Sequence, residues 1–345
     1  MNSQKILALN GLSKTFGSVI ANHNVSLDLH RGEVLALLGE NGAGKTTLMN
    51  MIFGHYIPDS GSVDIEGTSG ALVPLSLGHP QAAIAAGIGM VHQHFTLAEN
   101  LDALDNIMLG AERLNRLRRN KAAARGKVKA IMKESGLSAP LTVPVGQLTV
   151  GERQRIEILK ALYRDVKILV LDEPTAVLTP QESDTLFENI GKMTKNGLSV
   201  IFISHKLREV LAFSHRIAVL RHGAKVGEIA TSQADERKIA RMMVGSETEE
   251  HTRKRMPPGK PILCLEKVSV SGRSRRESLE RIDLAVNECE ILGIAGVSGN
   301  GQTALAGLIS GMLRPNTGNI FVDGVAVKDV RPSVMVVAGV GRIPE

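Results

Sequence analysis

An α/β fold with a mainly parallel sheet is predicted by three features of this 345-residue chain. A glycine-rich segment, GENGAGKT at 39–46, stands between a short apolar run and a helical one. Two β-branched runs, KILVLDEP at 167–174 and SVIFISH at 199–205, end in polar residues, as buried parallel strands do. The last quarter of the chain also repeats the glycine framework of the first.

The apolar run EVLALLG at 33–39 enters the glycine loop, and KTTLMNMIFG after it suits a helix. The pair completes G-x-x-x-x-G-K-[ST] in the strand, loop and helix context that gives the pattern meaning. Gly39, Gly42 and Gly44, with Glu40, Asn41 and Ala43 between them, allow backbone N–H groups to close around phosphate oxygens. The following helix N-terminus adds a favourable field. Lys45 is placed to neutralise β and γ phosphates and Thr46 to ligate magnesium, with Thr47 completing the binding set.

Residues 94–165 show helical spacing, many charges and no convincing strand, and read as a helical subdomain inserted between core strands. The strand after it carries Asp172 and Glu173 to its carboxyl end, where ligands bind in open α/β sheets. Alone, such a pair is a solvated pair. With the loop at 39–46, Asp172 is a magnesium ligand and Glu173 the group that orients or deprotonates a water. PQESDTLFENIGKMTKNG then places Leu186, Ile190 and Met193 at helical spacing.

SETEEHTRKRMPPGKP at 246–261 is charged, contains proline and lacks apolar periodicity, so it reads as a linker. Beyond it, an offset of 257 carries Gly296, Gly299, Gly301 and Thr303 onto Gly39, Gly42, Gly44 and Thr46. An offset of 252 then carries Pro332, Gly339 and Gly341 onto Pro80, Gly87 and Gly89, and Glu345 onto Gln93. This is a duplication whose second copy reads as partial, with Gln302 where the first loop has Lys45.

The formal charge of +6 favours an anionic partner without choosing among phosphate ligand, nucleic acid and acidic lipid. Cys264 and Cys289 lie in apolar stretches without C-x-x-C spacing and are expected to be buried thiols of a reducing compartment. The N-terminus lacks a signal-peptide pattern, and no run of about 18 apolar residues occurs, so a membrane role requires a partner. The basic stretch at 113–129 reads first as a solvated helical face, with anionic lipid or nucleic acid as the other readings. No aromatics interleave its charges, which counts against single-stranded nucleic acid. His92 and His94 alternate without Cys or Asp partners and do not make a metal-ligand set.

LTVGE at 148–152, directly before RQRIEILKALYR and about one helix ahead of the Asp172 strand, resembles the signature motif of ABC (ATP-binding cassette) ATPases. Leu148 and Gly151 keep the pattern, Thr149 stands for its serine, Val150 for its first glycine and Glu152 for its glutamine. Gln93 in GIGMVHQHF resembles the Q-loop residue, His205 the switch histidine, and Phe16 in KTFGS the aromatic that stacks on adenine. Thr179 stands where many members have aspartate. The resemblance covers residues 5–245 fully and 262–345 in part.

It implies an α/β fold consisting of a P-loop NTPase ABC ATPase domain with an inserted helical subdomain. The N-terminal part of a second, degenerate ABC ATPase domain follows. It implies ATP and Mg2+ as ligands, Glu173, His205 and Gln93 as catalytic residues, and magnesium at Thr46, Gln93 and Asp172. Family domains pair head to tail, so the signature serves a second ATPase domain in trans. Gly296, Gly301 and Thr303 preserve a turn and a helix start in the second loop. Gln302 gives up the phosphate-facing charge, making that loop the weaker half of an asymmetric pair.

A duplicated cassette of this kind resembles the ATPase subunit of bacterial importers for simple sugars and nucleosides, in style closest to the nucleoside branch. The expected partners are two transmembrane permease subunits and an extracytoplasmic solute-binding protein, with no direct solute contact and no nucleic acid. The expected location is the cytoplasmic face of the plasma membrane, held peripherally. The surface near Gln93, with His94 and Phe95 at its rim, would receive the permease. Two other readings stand beside this one: a fragment that binds ATP without turnover, and a soluble ABC ATPase acting on ribosome or DNA.

Overall fold

The computed structural model describes residues 4–93, 95–111, 120–245, 257–272, 278–296 and 300–343. Two compact units divide the chain, Met1–Glu249 and Glu250–Glu345. His94, Gly299, residues 113–119 of the basic stretch and residues 246–256 of the linker lie outside the described residues.

Unit 1 begins with β1 (Lys5–Phe16), β2 (Val19–His30) and β3 (Val34–Leu38), then α1 (Lys45–Phe53), β4 (Ser60–Glu66), β5 (Leu72–Pro74), α2 (Pro80–Ala85) and β6 (Ile88–Val91). The helices α3 (Ala103–Met108), α4 (Lys121–Ser135) and α5 (Val150–Leu162) follow. It ends with β7 (Ile168–Asp172), α6 (Pro180–Lys195), β8 (Ser199–Ile203), α7 (Leu207–Phe213), β9 (Arg216–Arg221), β10 (Ala224–Ala230) and α8 (Glu236–Val244).

A six-stranded sheet, ordered β10-β9-β3-β8-β7-β6, is parallel except at its β10 edge. Every residue of β3, β7 and β8 is buried, because the sheet is covered on both faces. Strand alternation divides these residues between two cores. Val34, Ala36, Leu38, Leu169, Leu171, Val200 and Phe202 join one core with α3, α5 and α6. Leu35, Leu37, Ile168, Val170, Ile201 and Ile203 join the other with β1, β2 and α1.

A second sheet, antiparallel and ordered β2-β1-β4-β5, packs against the latter core and is an element the sequence reading did not contain. Its pairing is interrupted by register shifts along β1, so no clean two-residue alternation marks it. Between residues 95 and 165 the described residues contain helices and no named strand.

Unit 2 contains β11 (Pro261–Val270), β12 (Leu279–Asn287), α9 (Gln302–Ile309), β13 (Thr317–Val322), β14 (Val325–Ala326) and α10 (Pro332–Val337). Its sheet order, β12-β11-β13-β14, repeats β2-β1-β4-β5. Gly301 (φ 88°) precedes α9 as Gly44 (φ 94°) precedes α1. The counterpart of β3 differs. β3 is hydrogen-bonded between β8 and β9, whereas residues 290–296 have no regular structure, and Ile291 is 85% exposed. The expectation of buried thiols is corrected here: Cys264 is half-buried, and Cys289, in the turn leading to this unpaired segment, is exposed.

One charged cluster ties the two sheets of unit 1 together. From β9, the Arg216 guanidinium donates to Asp28 Oδ1 on β2 at 2.8 Å and to Glu33 Oε1 in the β2–β3 turn at 2.8 Å, and also reaches Glu228 on β10. Lys5 on β1 pairs with the other Asp28 oxygen at 2.8 Å. Burial by itself pushes the Asp28 carboxyl up, but hydrogen bonds from Lys5 and Arg216 outweigh it and hold the group at about 2.

A folded-state value below the unfolded 3.8 gives stability that is present above pH 3.8 and lost as pH falls through about 2. Asp28→Asn is therefore expected to lower stability by roughly 1–2 kcal/mol at pH 7 after allowance for partial exposure. In thermal melts the gap from wild type should close as the pH is lowered from 3.8 towards about 2. A gap that is unchanged at low pH would contradict the assignment.

Candidate functional site

At the carboxyl ends of β3, β7 and β8 lies a cleft of about 970 Å³ lined by the loop 39–47 and by Phe16, Gln93, Asp172, Glu173 and His205, with Val19, Ala21, Ile203 and Met243 completing the wall. The residues expected from the sequence to bind and process a nucleotide in the first copy thus meet in one place. They come from β1, the β3–α1 loop, the end of β6, and the ends of β7 and β8.

The loop is shaped by backbone that other residues resist. Gly44 has φ 94°, and a Cβ there would stand 2.2 Å from the Ala21 carbonyl oxygen. Asn22, fully buried on β2, donates its side-chain amide to the Gly44 carbonyl at 3.3 Å, so β2 backs the start of α1. Lys45 is buried, and its ammonium donates to the carbonyls of Gly39 at 2.7 Å and Glu40 at 2.8 Å. Burial pulls its pKa below the ordinary lysine value, opposed by the charges of Glu173 and Asp172.

Asp172 and Glu173 do different things although they are adjacent. Asp172 is buried, and the Thr46 hydroxyl donates to its Oδ2 at 3.4 Å. Burial first, then the charge of Glu173, raises its carboxyl above the usual range. Glu173 is held from two sides: Gln93 donates to Oε2 at 3.2 Å, and His205 Nδ1 lies 3.2 Å from Oε1. Its backbone sits at φ 46°, a region that costs a side-chain-bearing residue energy, and its N–H donates to the Ile203 carbonyl at 3.1 Å. An ordinary strand end needs no such conformation; here it turns the carboxylate to meet both partners.

Behind these residues is a cluster the sequence reading missed. Glu209, buried on α7, accepts from the Thr175 hydroxyl at 2.7 Å and the Ser204 hydroxyl at 3.2 Å, and Lys206 donates to the Thr175 carbonyl at 2.7 Å. The loops that carry Glu173 and His205 are thereby fastened to each other. No local spacing signals this, because Thr175 and Glu209 are 34 residues apart.

The segment 148–152 lies away from the cleft. Thr149 is the N-cap of α5, and its side chain and that of Glu152 form a reciprocal capping box. The Thr149 N–H and hydroxyl each donate to Glu152 Oε2 at 2.9 Å, and these bonds hold the Glu152 carboxyl below its usual range. Val150 is the first helical residue and half-exposed, a position that does not require glycine. Gly151 is buried, and a Cβ there would stand 2.5 Å from Glu182 Oε1 on α6. Thr179 caps α6 through a matching box with Glu182.

In unit 2, Gly296, Gly301, Gln302 and Thr303 are described, and Gly299 is not. The Gln302 amide lies over Gly296, filling the place a side chain on that glycine would take. Phe95 is half-buried. No group of three or more metal-ligating His, Cys, Asp or Glu occurs among the described residues, and none of their helices is long and apolar enough to cross a membrane.

Comparison with known proteins supplies context for this geometry. The ABC transporter family model matches residues 22–176 and 279–344. The chain is 40% identical to the glucose import ATP-binding protein TsgD13 of Haloferax volcanii, across 100% of this chain and 67% of that protein. It is 36% identical to the nucleoside import ATP-binding protein NupA of Lactococcus lactis, across 100% of this chain and 67% of that one. It is 39% identical to the ribose import ATP-binding protein RbsA 1 of Burkholderia thailandensis, across 99% and 66%. The chain thus spans about two thirds of the length of these relatives. Among solved structures, the dimeric structure of a bacterial ABC transporter cassette matches with a TM-score of 0.58 and 26% identity, covering 66% of this chain and 99% of that one. The ADP conformation of another such cassette matches in fold, with a TM-score of 0.61 at 24% identity, over 70% of this chain and 99% of that one.

Two loop glycines should respond differently to alanine. Gly42 (φ 82°) has open space at its Cβ position, whereas Gly44 meets backbone at 2.2 Å. Gly42→Ala is expected to cost roughly 1 kcal/mol from backbone strain alone, and Gly44→Ala about 2 kcal/mol or more. Urea unfolding of the two variants checks the order, and equal losses would contradict the loop geometry.

Proposed function

Because the chain belongs to the ABC transporter family, we propose that it binds and hydrolyses ATP to energise import of a nucleoside or simple sugar through a partner membrane permease. The observation that carries this is the placing of Glu173 between Gln93 and His205, in the same cleft as the Lys45 loop and the Thr46–Asp172 pair.

The loop 39–47 cradles the phosphates through its backbone N–H groups, and the Lys45 ammonium moves from its two carbonyl acceptors to the β and γ phosphates. Phe16, 44% exposed at the cleft wall, is the platform for adenine. Thr46, Asp172 and Gln93 offer hard oxygen donors in a donor set that fits magnesium, and the Asp172–Thr46 contact of 3.4 Å leaves the two groups ready to share a cation. Held by these residues, magnesium would supply neutralisation of developing phosphate charge.

Glu173 takes a proton from the attacking water while that water bonds to the γ phosphorus and the bond to the bridging oxygen breaks, releasing ADP and phosphate. His205 and Gln93 fix the orientation of Glu173 through its two oxygens. The segment Leu148–Glu152 serves a second ATPase domain in trans, where donors at the start of α5 stabilise γ-phosphate charge. The Thr149 hydroxyl then leaves Glu152. The loop at Gln302 lacks the lysine charge and is the weaker site of the pair.

The relatives' names support the solute class, and none of the cleft residues is assigned to a solute. The protein works at the cytoplasmic face of the membrane, bound to two permease subunits that are served by an extracytoplasmic solute-binding protein. The groove lined by Phe53, His92, Thr96, Glu157 and Lys160, beside Gln93, is the permease-facing surface.

Glu173→Gln is expected to reduce ATP turnover by at least about 100-fold while leaving ATP affinity within about threefold of wild type. Unchanged hydrolysis would overturn its role as the base. Specific ATPase activity should also fall on dilution, since the signature acts in trans. Activity that stays substantial and constant across dilution would overturn the trans requirement.

A further inference from the structure

Phe16 lines the cleft, and its ring meets two side chains that do not, Lys14 and Tyr56. Lys14 precedes it by two residues on β1. The Lys14 ammonium lies over the Phe16 ring, 5.5 Å from its centroid. That is within the range of about 6 Å where a cation is drawn to ring density.

The ammonium is anchored. It donates to Asp59 Oδ1 at 2.8 Å, the other Asp59 oxygen accepts from the Thr15 N–H at 2.7 Å, and the Asp59 N–H donates to the Ser13 carbonyl at 2.8 Å. The hydrogen bond from Lys14, then that from Thr15, keep the Asp59 carboxyl below its usual range, so the anchor remains charged. Tyr56 meets the same ring edge-on, with centroids 5.3 Å apart at 72°. The Tyr56 N–H donates to the Asn50 carbonyl of α1 at 3.2 Å, which ties the ring to the helix that follows the phosphate loop. Phe16 lines the cleft, whereas Lys14, Tyr56 and Asp59 do not.

We propose that Lys14 is a positioning residue for the nucleotide base, polarising and fixing the Phe16 ring from behind so that its open face stacks on an electron-rich purine. This rests on Phe16 being the base platform. A cation behind the ring draws density towards itself, and the cleft-facing side becomes a better partner for a heterocycle rich in density. Fixing the ring beforehand also reduces the ordering cost of binding. Since Lys14 is outside the cleft, its contribution belongs to the base and not to the phosphates.

The test compares Mg2+-loaded adenylyl imidodiphosphate with Mg2+-loaded inorganic tripolyphosphate by titration calorimetry on the full chain. Lys14→Met is expected to weaken the adenine ligand about two- to fivefold and leave tripolyphosphate unchanged, with Lys14→Arg restoring the wild-type ratio. Lys14→Gln carries the same expectation as Lys14→Met, and thermal midpoints verify that each variant is folded. Unchanged affinity for the adenine ligand, or equal loss for both ligands, overturns the proposal. Phe16→Ala is the separate control: an unaltered ratio there defeats the platform reading itself, whereas a lowered ratio there with no Lys14 effect defeats the Lys14 proposal alone.

Discussion

A lysine ammonium with little access to water must be compensated, and in this protein the compensation organises the nucleotide end of unit 1. Lys45 is 8% exposed and rests on the Gly39 and Glu40 carbonyls, with Asp172 and Glu173 supplying the opposing charge. Carbonyl acceptors satisfy the ammonium's hydrogens only partly, and burial still disfavours its charged form. Phosphate oxygens are stronger acceptors for a cation than carbonyls are. The site is therefore built around a charge whose best partner is a ligand. Holding Lys45 there requires the parallel sheet to end β3 and β7 on either side of β8, and requires β2 to back Gly44 through Asn22.

The parts of this arrangement that were legible in the sequence are those with a local signature. The loop 39–46 and the acidic pair after β7 follow apolar runs that become fully buried strands, whereas Gln93, His205 and Phe16 were legible only through the resemblance of their segments to ABC ATPases. Two further features had a readable signal that went unused. Thr149-x-x-Glu152 and Thr179-x-x-Glu182 both fit the capping-box spacing, and each caps its helix. The remainder depends on contacts between residues far apart in the chain. The antiparallel sheet pairs β1 with β4 across more than 40 residues and through register shifts, and Glu209 joins loops that only the finished fold brings together. Neither leaves a periodic trace in the sequence.

The two units show what a shared sequence framework transmits. Sheet order and the left-handed glycine before the loop helix recur in both. In unit 1, Val34 to Leu38 owe their burial to the flanking β8 and β9. A strand is stabilised by its partners more than by its own composition. The same reasoning applies to Glu173, whose strained backbone persists because Gln93, His205 and the Ile203 carbonyl together determine it.

If the buried Lys45 charge is held for the phosphates of a nucleotide, removing it must weaken nucleotide binding. Calorimetric titration of Mg2+-loaded ATP into Lys45→Ala and into wild type tests it most directly. The affinity of the variant is expected to be lower by about tenfold or more, because charge-assisted hydrogen bonds to the phosphates are lost. Wild-type affinity in the variant would contradict it.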